Sequence, residues 1–91
     1  MASIVLFIVK VMPSSSTSDL ALIKRKGEQK LVEHGATNIS VEEKPVAFGL
    51  KALYFKFAWP EEKGSELVEE LLSKIDEVSS VDIEDYRRAF R

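Results

Sequence analysis

Residues 2–12, ASIVLFIVKVM, are β-branched and apolar almost throughout. Such a run predicts a central strand with both faces largely covered. Pro13 and the hydroxyl cluster from Ser14 to Ser18 end it, as turn and cap formers do. The spacing then changes. Leu20, Ile23, Gly27 and Leu31 recur at three and four residues, which places them on one face of a helix from Asp19 to His34. Ser18 or Asp19 is positioned to cap its start and Gly35 to close its end. Gly27 in mid-helix costs up to about 1 kcal/mol relative to alanine, so a close approach of helix to sheet is expected there.

In TNISVEEKP, residues 37–45, Ile39 and Val41 alternate with polar residues. This predicts a half-exposed edge strand closed by Pro45. VAFG, residues 46–49, makes a turn. LKALYFKFAW, residues 50–59, predicts a strong strand with Leu53, Phe55 and Phe57 on one face and Ala52, Tyr54 and Lys56 on the other. PEEKGS breaks it. Residues 65–75 form an amphipathic helix, apolar at Leu67, Val68, Leu71, Leu72 and Ile75, with acids early and Lys74 late, as the helix dipole favours. A last strand over residues 79–90 puts Val81 and Ile83 on one face. The order strand, helix, strand, strand, helix, strand is that of the α+β ferredoxin-like fold. Both helices are then expected on one face of a four-stranded antiparallel sheet. That fold hosts many activities and does not choose one.

The bulk properties narrow the choice. Ninety-one residues predict one domain, 1–91, and 45% apolar with 31% charged residues is globular composition. The absence of cysteine excludes disulfides and thiolate metal sites and fits a reducing cytoplasm. A single histidine does not make a zinc site without other ligands. The net charge of −2 argues against a broad nucleic-acid footprint. The run IVLFIV has no basic segment before it, no small-residue cleavage site after it, and too few residues to span a bilayer. A cytoplasmic chain, monomeric when free and without membrane contact, is expected.

Candidate chemistry is sparse. PSSSTS offers hydroxyls without a paired base, and His34 stands a helix length away, where it suits a helix C-terminus. Glu42 and Glu43 are neighbours on a strand and point to opposite faces, so they form no carboxylate dyad. Glu61–Glu62 is a second such pair in sequence, and neither FGLKAL nor KGSE has phosphate-loop spacing. No enzyme, metal or cofactor is expected. RNA binding is the alternative. LFIVKV and KALYFKF loosely resemble the paired motifs of RNA-recognition domains, which share this topology and stack bases on sheet aromatics, although Ala52 and Tyr54 stand where the longer motif has glycines. Trp59, before Pro60, is expected at a rim covering a helix end. The terminal Arg87 and Arg88 have Asp82, Glu84 and Asp85 as nearby ion-pair partners, but surface pairs contribute only about 0–1 kcal/mol.

PVAFGLKAL in the middle of the chain and VSSVDIEDYRR near its end, with GSELVEELLSKI between them and IVLFIVKVMPSSS before them, together resemble the exchange-factor domain of the translation elongation factor 1-beta family in its short archaeal form. The resemblance spans nearly the whole chain. It implies guanine-nucleotide exchange on elongation factor 1-alpha, the GTPase that delivers aminoacyl-tRNA, with no direct contact to nucleic acid. In eukaryotic members a lysine next to the C-terminus reaches the magnesium site of the GTPase. Aligning the Asp-Ile pair puts Arg88 at that position and Arg87 beside it. A phenylalanine of a Phe-Gly pair between the middle strands also meets the GTPase, which implies Phe48 here. Two departures stand out: the cation is arginine, and Ala89, Phe90 and Arg91 follow it.

Overall fold

The computed structural model describes residues 4–46 and 49–89. Its elements are β1 (Ile4–Pro13), α1 (Leu20–Glu33), β2 (Thr37–Pro45), β3 (Lys51–Pro60), α2 (Gly64–Ser73) and β4 (Val78–Ala89), with a 3-10 turn at Glu61–Lys63 before α2. The sheet order is β2-β3-β1-β4, and each neighbouring pair is antiparallel. This is the α+β ferredoxin-like arrangement, with strong central strands β1 and β3 and the polar β2 at an edge.

The period-two side-chain pattern explains the layering. Val5, Phe7, Val9 and Val11 of β1 and Leu53, Phe55, Phe57 and Trp59 of β3 are buried in one cluster. Ile23 and Leu31 of α1 and Val68 and Leu72 of α2 belong to the same cluster. Both helices therefore cover one face. Among the described residues, no helix lies over the opposite face. Leu6 is 47% exposed there, and Ile8, Lys10 and Met12 are half-buried. The expectation that both faces of β1 would be covered is thus met on one face only. An all-apolar strand needs a helix on just one side when flanking strands and long side chains shade the other.

Asp19 caps α1, its carboxylate accepting from the Leu22 N–H at 3.1 Å. Beyond the helix, Gly35 takes φ +102°, a conformation that a side chain disfavours. Ile75 lies past the last residue of α2, yet it is buried. Trp59 corrects the rim expectation: it is fully buried, and its indole N–H donates to the Gly64 carbonyl at 3.0 Å. It does meet the start of α2, but from the core side, because its parity on β3 matches that of Phe55 and Phe57.

Gly27 is where α1 lies against β3. A Cβ on it would sit 2.7 Å from Cε2 and Cζ of the Phe55 ring, which is itself buried. Gly27→Ala gains up to about 1 kcal/mol of helix preference but overpacks a closed core at about 1–3 kcal/mol. A net destabilisation of about 1 kcal/mol is expected, read as a lower denaturation midpoint in urea. A more stable variant would show that helix and ring are not in contact.

Candidate functional site

The basic cluster of β4 lies where the ends of three strands meet. Ile4 of β1 pairs with Pro60 of β3 on one side and with Ala89 of β4 on the other. Val9 faces Ile83 and Ile8 faces Asp85, so Glu84 is an extra residue in β4. Such a bulge reverses the parity of everything after it. Before it, Val81 and Ile83 stand opposite Val11 and Val9, on the helix side. After it, Tyr86 and Arg88 stand opposite Phe7 and Val5, also on the helix side, while Asp85 and Arg87 stand opposite Ile8 and Leu6, on the open side. Tyr86 meets the Phe7 ring edge-on at 5.2 Å.

The two arginines differ in what holds them. Arg87 Nε donates to the Asp85 carboxylate at 3.2 Å, a contact within its own strand, and the side chain is 77% exposed. Arg88 reaches across the sheet end. Its Nη2 pairs with the Glu61 carboxylate, at the turn that follows β3. Pro60, at φ −63°, and the Trp59–Gly64 hydrogen bond bracket that turn. Sequence reasoning named Asp82, Glu84 and Asp85 as partners for these arginines. Asp85 serves Arg87, but Glu61 went unnoticed, although pairing the apolar runs of the outer and central strands brings the end of one beside the end of the other.

Phe48 lies outside the described residues, as do Phe90 and Arg91. Beyond the Pro45–Lys51 pair, the Val46 N–H donates to the Leu50 carbonyl at 2.8 Å, at the end of β3 opposite Pro60. Lys51 and Pro60 are the two ends of that strand, about 30 Å apart at a strand rise of ~3.3 Å per residue. The stretches that carry the family resemblance therefore flank the long axis of the sheet.

The other candidates are occupied locally. Ser18 Oγ accepts from the Ser15 N–H at 3.2 Å and lies within reach of the Ser14 and Ser15 hydroxyls, so the serine loop bonds to itself. His34 Nδ1 donates to the Lys30 carbonyl at 2.9 Å. Glu42 accepts from Lys56 Nζ at 3.1 Å; that bond, with the charges of Lys56 and Lys44, holds its carboxyl below the usual glutamate value. Among the described residues, no three acidic, His or Cys side chains are grouped to hold a metal, and no helix is long and apolar enough to cross a membrane.

The premise of the RNA reading fails on orientation. Phe7, Phe55, Phe57 and Trp59 are all buried on the helix side. On the open face Tyr54 is the one aromatic among the described residues, and Lys44 Nζ sits 4.9 Å from its ring centroid. Base stacking on a sheet uses two or three exposed rings.

Fold and strand end together define a small α+β domain whose distinctive exposed chemistry is a cationic strand end. Its family follows from comparison with known proteins. The profile of the EF-1 guanine nucleotide exchange domain matches residues 6–89, and the chain belongs to that family. Its relatives include the protein named elongation factor 1-beta from Methanothermobacter thermautotrophicus, 38% identical over 81 residues, which are 88% of this chain and 90% of that one. Those of Methanobrevibacter smithii and Natronomonas pharaonis, with the same name, are each 40% identical over 81 residues, covering 88% of this chain and 90% and 91% of theirs.

Proposed function

We propose that this chain, acting as one domain of residues 1–91 and as a cytoplasmic monomer when free, promotes GDP release and GTP loading on elongation factor 1-alpha. The observation that supports the mechanism is the end of β4: the bulge at Glu84 sets Arg88 on the helix side and Arg87 on the open side, and Arg88 pairs with another element.

GDP is gripped partly through a magnesium ion bridging its phosphates. A guanidinium brought to that site repels the ion and competes for phosphate oxygens. Accelerating release a thousandfold requires lowering the barrier by only about 4 kcal/mol. By linkage, the factor binds the nucleotide-free GTPase more tightly than the GDP form, and incoming GTP expels it. No bond is made or broken, so the domain needs neither a nucleophile nor a cofactor of its own. Phe48 is the second contact. In sequence it lies between Pro45 and Lys51, which pair at the end of β3 opposite Arg88, so a GTPase that engages both reaches along about 30 Å of the domain.

The test is release of labelled GDP from elongation factor 1-alpha with and without the chain. Catalytic acceleration at substoichiometric concentration is expected. With Phe48→Ala, the same maximal rate should require more factor. No acceleration by the wild type at any concentration overturns the reading.

A further inference from the structure

Resting on that reading, we propose that Glu61 is a positioning residue for exchange: its carboxylate holds the Arg88 guanidinium at the sheet end in the orientation in which the partner's phosphate and magnesium site receives it. Four observations support this. Arg88 meets Glu61 through Nη2, and its side chain remains 52% exposed, so part of its donor edge stays available. Glu61 is the better-anchored member of the pair, 29% exposed and set between Pro60 and the Trp59–Gly64 hydrogen bond. The contact links the end of β4 to a different element, whereas the Arg87–Asp85 contact spans two residues of one strand and fixes no tertiary direction. Finally, the bulge at Glu84 delivers Arg88 to the side on which Glu61 can meet it.

A free arginine at a strand end carries about 2 kcal/mol of rotamer entropy, part of which is lost when it enters a partner's site. Ordering it beforehand removes that loss from the productive complex. The role of Glu61 is therefore exerted through Arg88 and through nothing else. It contacts neither nucleotide nor magnesium.

The experiment is a double-mutant cycle in the GDP-release assay. Glu61→Gln keeps the shape of the side chain and removes its charge. It should lower the maximal exchange rate about five-fold, leave the melting temperature within a few degrees, and lose its effect entirely in an Arg88→Ala background. Glu61→Asp, which keeps the charge, should recover part of the loss. Nitrogen-15 relaxation of the free chain supplies an independent readout: the Arg88 Nε–H should be ordered in the wild type and mobile in Glu61→Gln. Wild-type rates in Glu61→Gln, or rates above wild type as for a released latch, overturn the proposal. So does an equal loss from Glu61→Gln in both backgrounds, because that marks a general structural role. If the wild type itself fails to release GDP, the exchange reading falls and this inference falls with it.

Discussion

Arg88→Ala should slow factor-stimulated GDP release by about a hundredfold, a loss of about 2.7 kcal/mol of barrier reduction, while the domain stays folded. The separation of the two effects follows from geometry. The side chain is half-exposed and its ion pair joins it to Glu61 at the molecular surface; an exposed pair contributes only about 0–1 kcal/mol to stability. The guanidinium is nevertheless the cation on the helix side of the strand end, and a partner's metal site distinguishes sharply between a cation and a methyl group. Arg87→Ala, which alters the open side, should change the rate about three-fold or less, a difference of ~0.7 kcal/mol. Arg88→Lys separates two versions of the mechanism. If a point charge near magnesium is sufficient, lysine retains most of the rate; if a planar fork must grip phosphate oxygens, it does not. Truncation after Tyr86 removes Arg87, Arg88 and Arg91 and should abolish exchange. A truncated chain that works at the wild-type rate would move the function to the hairpin end or the open sheet face.

Trp59→Ala has the largest expected effect on stability. Trp59 is fully buried beside Phe57, whose ring it meets edge-on at 5.9 Å. Removing a buried tryptophan costs about 3–5 kcal/mol, roughly half of the ~5–10 kcal/mol available to a domain of this size. The lost indole donor also leaves the Gly64 carbonyl without its bond. Urea denaturation should show the midpoint falling steeply at nearly constant slope, with a partly unfolded population at 37 °C. Trp59→Phe keeps most of the apolar volume and loses the hydrogen bond, so an intermediate loss of about 1–2 kcal/mol is expected. A loss below 1 kcal/mol for the alanine variant would mean that the indole is not part of the core. Because the same hydrogen bond braces the turn carrying Glu61, the phenylalanine variant should also lower the exchange rate modestly at temperatures where it is fully folded.

Elements and layers were legible in the sequence because periodicity reports them directly. The predicted strand over residues 37–45 coincides with β2, and the three- and four-residue spacing of Leu20, Ile23, Gly27 and Leu31 identified the face of α1 that packs against Phe55. What was not legible depended on register. A strand of apolar residues looks the same whether one or two of its faces are covered, so the run of β1 by itself pointed to two covered faces, although the element order placed both helices on one. Trp59 before a proline resembles a rim residue until the pairing of β3 with β1 fixes its parity. The bulge at Glu84 leaves no mark in composition, since an acidic residue is equally at home paired or looped out. Without the bulge, the side that each arginine faces cannot be assigned. Glu61 was passed over for the same reason: it lies 27 positions before Arg88, and only the common end of β3, β1 and β4 brings them together.

The bulge at Glu84 makes the tail of β4 a selector with two settings. Every residue after it is assigned to its face by the presence of one additional peptide unit, not by its own side chain. Shortening the strand there by a single residue would exchange the positions of Arg87 and Arg88 relative to the helices without changing the identity of either. The chemistry of two adjacent arginines is identical in kind; their distinct destinations come from counting. In a lineage that gained or lost one residue at this point, the working cation would migrate to the neighbouring codon, and the residue that matters would shift by one position while the surface offered to a partner stayed the same.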